Sequence, residues 1–123
     1  MKRAKLENMS VDQLVGRYAE VGVALEKAEL MGEIGRVNRL FGQIIALERE
    51  LRARGCDARL ALFALYDHPS PQVRLNAAKA TLGVASDAAK RVIQDIYDTE
   101  SGPQALDGGM TLRFLENGVF KPD

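Results

Sequence analysis

Leu65-Tyr66-Asp67-His68-Pro69-Ser70-Pro71-Gln72-Val73-Arg74-Leu75-Asn76-Ala77-Ala78-Lys79-Ala80-Thr81-Leu82-Gly83 is the stretch from which the fold is read. Asp67-His68-Pro69 breaks whatever precedes it, because proline excludes the helical conformation from the residue before it. Ser70-Pro71 then restarts a helix. Ser70 is placed to accept from the free amides of the first turn, and Pro71 stands where a missing N–H costs nothing. Gly83 closes the segment. The result is a turn between two helices, with alanines that permit close helix packing.

Working toward the N-terminus, residues from Asp57 through Leu60, Ala61, Leu62, Phe63, Ala64 and Leu65 are apolar nearly all round. They predict a helix capped by Asp57 and more buried than its neighbours. Before it, Ser10-Val11-Asp12-Gln13 reads as a capping box. Val11, Leu14, Val15, Tyr18, Gly22, Leu25 and Ala28 follow at helical spacing, which predicts a helix from Val11 to about Met31, ended by Gly32. A second helix is expected from about Glu33 to Arg54, with Ile34, Val37, Phe41, Ile44, Ile45 and Leu51 in one stripe and Gly55 as its stop. The short turn between the two forces an antiparallel hairpin.

Toward the C-terminus, Ser86 and Asp87 start a helix through Val92, Ile93, Ile96 and Tyr97. Ser101–Gly109, with three glycines and a proline, reads as a loop or a frayed turn. A last helix is expected from about Met110 to Asn117, stopped by Gly118, with Val119 and Phe120 folded back on the core. No segment alternates with a period of two, so no strand is predicted. An internal repeat is present: Leu65-Tyr66-Asp67 precedes Ser70-Pro71-Gln72 as Ile96-Tyr97-Asp98 precedes Ser101-Gly102-Pro103-Gln104. The spacing lies in the range of helical solenoids. The expected fold is all-α, a single domain over residues 1–123: a long N-terminal helical hairpin followed by two short helix pairs in an α-α superhelix.

Asp67, Pro69, Val73, Arg74, Ala77, Ala78, Leu82 and Gly83 resemble a HEAT-type repeat. In that family the proline marks the inter-helix turn, and the aspartate and arginine form a ladder between turns. The resemblance therefore implies a turn fixed by Asp67, Pro69 and Arg74. Over nearly its whole length the chain also resembles an uncharacterised bacterial family, the domain of unknown function numbered twenty-nineteen. That likeness is carried by Met9-Ser10-Val11-Asp12-Gln13-Leu14-Val15, Gly32-Glu33-Ile34-Gly35-Arg36, Asn38-Arg39-Leu40-Phe41, the Asp67-to-Leu82 block, and Arg113-Phe114-Leu115 to Gly118-Val119-Phe120. It implies small, helical, HEAT-like proteins with no assigned activity.

The composition bounds the function. The chain has 123 residues, 17 basic and 17 acidic, and a formal net charge of zero. A dedicated polyanion binder carries an excess of positive charge, so nucleic acid is disfavoured as a partner. One Cys and one His rule out a disulfide framework or a structural zinc site within one chain. No apolar run is long enough to cross a membrane. The basic start (Lys2, Arg3, Lys5) is not followed by the apolar stretch of a secretory signal, and a cytoplasmic location is expected. No phosphate-loop or dinucleotide motif occurs. No cofactor and no enzymatic activity are expected.

His68 reads as a turn residue and Cys56 as a small, buried or half-buried filler. Glu26, Glu29 and Glu33 share a helix face that is expected to be solvated or to pair with Arg36 and Arg39. The arginines crowd toward one end: Arg49, Arg52, Arg54 and Arg59 form a basic cluster that either meets an acidic partner or pairs within the hairpin. Three of them sit where cations favour the helix dipole. Glycines 16, 22, 35 and 42 lie inside predicted helices, either for close contact or as tolerated drift. The long apolar stripe of the hairpin leaves room for homodimerisation. The functional reading is a non-enzymatic protein–protein interaction module. The alternative is an immunity or antitoxin-type protein that masks a toxin; nucleic-acid binding ranks below both.

Overall fold

The computed structural model describes residues 6–123. Among these the chain is all-helical and has no strand. It divides into two compact units, one ending at Leu62 and one spanning Phe63–Asp123.

The first unit is built on α1 (Val11–Leu30) and α2 (Ile34–Ala53), which pack against each other as the predicted hairpin. The capping box at Ser10 forms in full: its Oγ accepts from the Gln13 N–H at 3.1 Å, and the Gln13 Oε1 accepts from the Ser10 N–H at 2.8 Å. Gly32 adopts a φ of +71°, a turn that a side chain would strain. Helix α1 buries Leu14, Tyr18, Val21, Gly22, Leu25 and Ala28; α2 buries Ile44, Leu47 and Leu51. Burial in α2 is thus confined to its second half. Gly16, Gly35 and Gly42 face open space, so close helix contact is not what they serve.

The segment expected to be one deeply buried helix is broken in two. Helix α3 (Cys56–Leu60) is capped by Gly55 rather than Asp57, and a 3-10 helix (Ala61–Leu65) follows. Asp57 instead lies in the first turn of α3. Ala58, Leu62 and Leu65 are buried, whereas Phe63 and Ala64 are exposed. Apolar residues all round the helix do not need all-round burial when the tighter 3-10 winding turns some of them outward.

The second unit contains α4 (Pro71–Thr81), α5 (Ser86–Thr99) and α6 (Pro103–Glu116). Ser70 caps α4 through the Val73 N–H at 3.2 Å, with Pro71 at the first position. Helix α4 is the well-buried one, with Gln72, Val73, Leu75, Ala77, Ala78 and Thr81 all covered. The core joins Leu75, Ala78 and Leu82 to Ala89, Ile93 and Ile96 of α5, with Tyr66, Val92, Leu112 and Leu115 packed against it. Helix α5 is an ordinary surface helix, charged outward and apolar inward.

The largest correction concerns the C-terminal helix. Ser101–Gly109 is not a loop: α6 begins at Pro103, seven residues ahead of the expected start. Gly108 and Gly109 are there for close approach. A Cβ on Gly108 would meet Ile93 at 3.4 Å, and one on Gly109 would press on the Tyr97 ring at 2.6 Å. The glycines let α6 lie directly on α5.

Candidate functional site

The internal repeat locates the site. Helices α4 and α6 both open with proline at the first position and glutamine at the second. Both glutamines are buried, and Gln104 Nε2 donates to Gln72 Oε1 at 3.1 Å. Gln72 in turn donates to Asn76 Oδ1 at 2.9 Å. This buried amide pair sets the two helix starts side by side. One helical turn further along α6, Lys79 Nζ reaches across from α4 to Asp107, at 3.0 Å from Oδ1 and 3.3 Å from Oδ2. The Thr111 hydroxyl donates to Asp107 Oδ1 at 3.1 Å.

These three polar side chains form one wall of an open cavity of about 580 Å³, lined also by Pro103, Leu106, Met110, Phe114 and Phe120. Leu106, Met110 and Phe114 follow at a spacing of four and so share the outer face of α6. Phe120 joins them because Gly118, at φ +74°, turns the chain back. The Phe120 N–H then donates to the Phe114 carbonyl at 3.0 Å. Phe120 thus turns back to the edge of the cavity but stays exposed, as does Val119, so neither is covered by the core as expected. Leu106 is 66% exposed, Met110 47%, Phe114 37% and Phe120 36%. The inner face of α6 carries Gly108, Thr111, Leu112 and Leu115, so this helix is apolar on both sides. A helix of that kind is normally covered on both sides.

The residues singled out in the sequence fall elsewhere. Asp67 and Pro69 occupy the exposed turn before α4. Arg74 lies in α4, and its ion pairs run to Glu100 (3.3 Å) and Asp95 (3.9 Å) rather than to Asp67. The ladder implied by the HEAT resemblance is therefore replaced by a tie from α4 to the last turns of α5. A guanidinium needs a carboxylate in front of its fork, and Asp95 of α5 and Glu100 at its C-cap come within reach where Asp67 in the turn does not.

The four arginines of the cluster are placed differently. Arg54 donates through Nε to Glu50 at 3.0 Å and through Nη2 to the carbonyls of Leu6 (2.9 Å) and Glu7 (3.3 Å). It anchors a local chain segment. Arg49 and Arg52 are exposed, and Arg59 is half-buried. Arg36 lies 3.9 Å from Glu33. Cys56 is exposed rather than covered. His68 bonds a helix end: its Nδ1 accepts from the Ser70 N–H at 3.0 Å. No group of three or more His, Cys, Asp or Glu among the described residues could hold a metal ion. No helix among them is long and apolar enough to cross a membrane.

Two tyrosines have raised pKa values. Tyr18 is fully buried, and its hydroxyl donates to Glu48 Oε2 at 2.6 Å. Burial, then the negative charge and the hydrogen bond of Glu48, hold its pKa well above 10.0. Tyr66, paired with the Thr81 hydroxyl at 2.5 Å, is raised by burial, and the hydrogen bond offsets part of the rise. Both side chains serve packing within their units.

Fold and site together define a small all-helical protein whose last helix exposes an apolar groove. The chain belongs to the family described as a domain of unknown function (DUF2019), which matches residues 12–116. It is also similar to the crystal structure of the protein RPA1889 from Rhodopseudomonas palustris CGA009. The two share 43% identity and a TM-score of 0.93, over 96% of this chain and 98% of that one. No curated protein matches the sequence.

Proposed function

We propose that the protein is a non-enzymatic protein–protein interaction module that receives a partner in the groove along α6. The observation that supports this is the two-sided apolar character of α6. Its inner face meets the core, and its outer face lines a cavity of about 580 Å³ with Leu106, Met110, Phe114 and Phe120. Grooves of this kind suit an apolar helix face from another chain. Met110 favours the reading, because an unbranched thioether side chain adapts to a partner's shape. The polar groups of the groove are bonded to one another, Lys79 to Asp107 and Thr111 to Asp107, which leaves them poorly placed to act on a substrate. We read the helix pairs as HEAT-like, with the terminal helix as the docking element.

The test is a photo-cross-linking residue at position 106, with the protein expressed in its own host. One dominant protein adduct is expected, absent when the same group is placed at exposed Gln94 of α5. Lack of a position-specific adduct in a folded, abundant preparation overturns the proposal.

A further inference from the structure

We infer that the occupant of the α6 groove is a second copy of this chain, paired through α6 about a two-fold axis near Met110. This inference rests on the groove being a docking surface and adds the partner's identity.

Three observations carry it. The first is area. Leu106, Met110, Phe114 and Phe120 leave roughly 400 Å² of apolar surface uncovered, if a full side chain of this size is taken as ~200 Å². A standard interface buries about 800 Å² per partner, a little over half of it apolar. These four side chains supply most of that apolar share from one groove.

The second is symmetry. An isologous contact must complement itself. Leu106 and Phe114 stand four residues to either side of Met110. Two antiparallel copies of α6 therefore place each Leu106 opposite the other copy's Phe114, with the Met110 side chains meeting at the centre. A smaller side chain faces a larger one at both ends, which favours close packing. The adjacent charges do not oppose this: Asp107 is neutralised within its own chain by Lys79 at 3.0 Å. The zero net charge of the chain removes long-range repulsion between copies.

The third is the repeat. Helices α4 and α6 start alike and are joined by the Gln72–Gln104 bond, so α6 stacks beside α4 as its repeat. A repeat face left to solvent is polar. The outer face of α6 carries Leu106, Met110 and Phe114 instead, and a second copy's α6 covers them.

Sedimentation velocity and light scattering over a micromolar concentration series test the inference, with circular dichroism as the check on folding. The wild-type chain is expected to move from 13.5 kDa toward twice that mass. Met110→Glu is expected to remain helical and monomeric throughout. Leu106→Asp, at the most exposed groove position, serves as the second variant should Met110→Glu lose helix. A wild-type monomer at the highest concentration overturns the inference. So does a dimer that persists in both folded variants, which places the interface elsewhere, for instance on the hairpin. The position-106 cross-link separates the two proposals. An adduct with a different protein refutes self-pairing and leaves the docking groove standing, whereas no adduct removes both.

Discussion

Tyr18 donates its hydroxyl to Glu48 at 2.6 Å from a fully buried position, and this bond ties α1 to α2. A buried phenol has to find an acceptor, and a carboxylate is a strong one. Tyr18→Phe keeps the ring and removes the bond. It is expected to cost about 1–3 kcal/mol in urea denaturation at neutral pH. The pH dependence has a defined sign. The folded state holds the Tyr18 pKa above its ordinary value of 10.0, so folding favours the protonated phenol. The associated stability is fully present below pH 10 and is lost as pH rises beyond it. The gap between wild type and Tyr18→Phe should therefore shrink above pH 10. Tyr66 is present in both proteins and cancels. A gap that stays constant to the end of the alkaline range would show that ionisation of Tyr18 is not coupled to folding.

At the scale of the helix, glycines test which positions are packed. Gly16 in α1 and Gly42 in α2 face open space. Gly16→Ala and Gly42→Ala should each stabilise by about 0.5–1 kcal/mol, since alanine loses less entropy on entering a helix. Gly109 differs because its Cβ would meet the Tyr97 ring. Gly109→Ala should gain less, and the full gain should return in a Tyr97→Ala background, as thermal melts of the four-member cycle would show. The same contrast explains what could be read in advance. The limits of α1 and α2 were legible because a capping box and a helix-stopping glycine are local signals. The start of α6 was not, because Gly108 and Gly109 look like helix breakers until Ile93 and Tyr97 are seen beneath them. The Leu106, Met110 and Phe114 spacing was visible in the sequence, but the assignment of Ser101–Gly109 to a loop cut it at Met110 and hid the groove. Arg74 was singled out for the wrong bond: Glu100 lies 26 residues away, and only packing brings it near. Arg74→Ala should lower stability by about 1–3 kcal/mol, the range for hydrogen bonds to charged groups. In a double-mutant cycle with Glu100→Gln the combined loss should be smaller than the sum of the two, because both changes break the same tie.

At the scale of the whole molecule, the deciding quantity is charge. Seventeen basic residues are balanced by seventeen acidic ones. The arginine cluster does not escape that balance, because Arg54 is committed to Glu50 and to the carbonyls of Leu6 and Glu7. A nucleic-acid binder gains most of its affinity by displacing counterions from phosphates, which needs several uncommitted cations on one surface. The chain should therefore leave the fluorescence anisotropy of a labelled duplex or single strand unchanged at ~150 mM salt, up to protein concentrations of ~100 µM, where even weak non-specific binders respond. The exposed Arg49 and Arg52 make this a demanding test. A rise in anisotropy that falls steeply with added salt, and that Arg49→Glu abolishes, would move the binding surface from α6 to the end of α2. An unchanged signal, together with a groove-dependent change of mass in sedimentation, would place recognition on apolar contact rather than on charge.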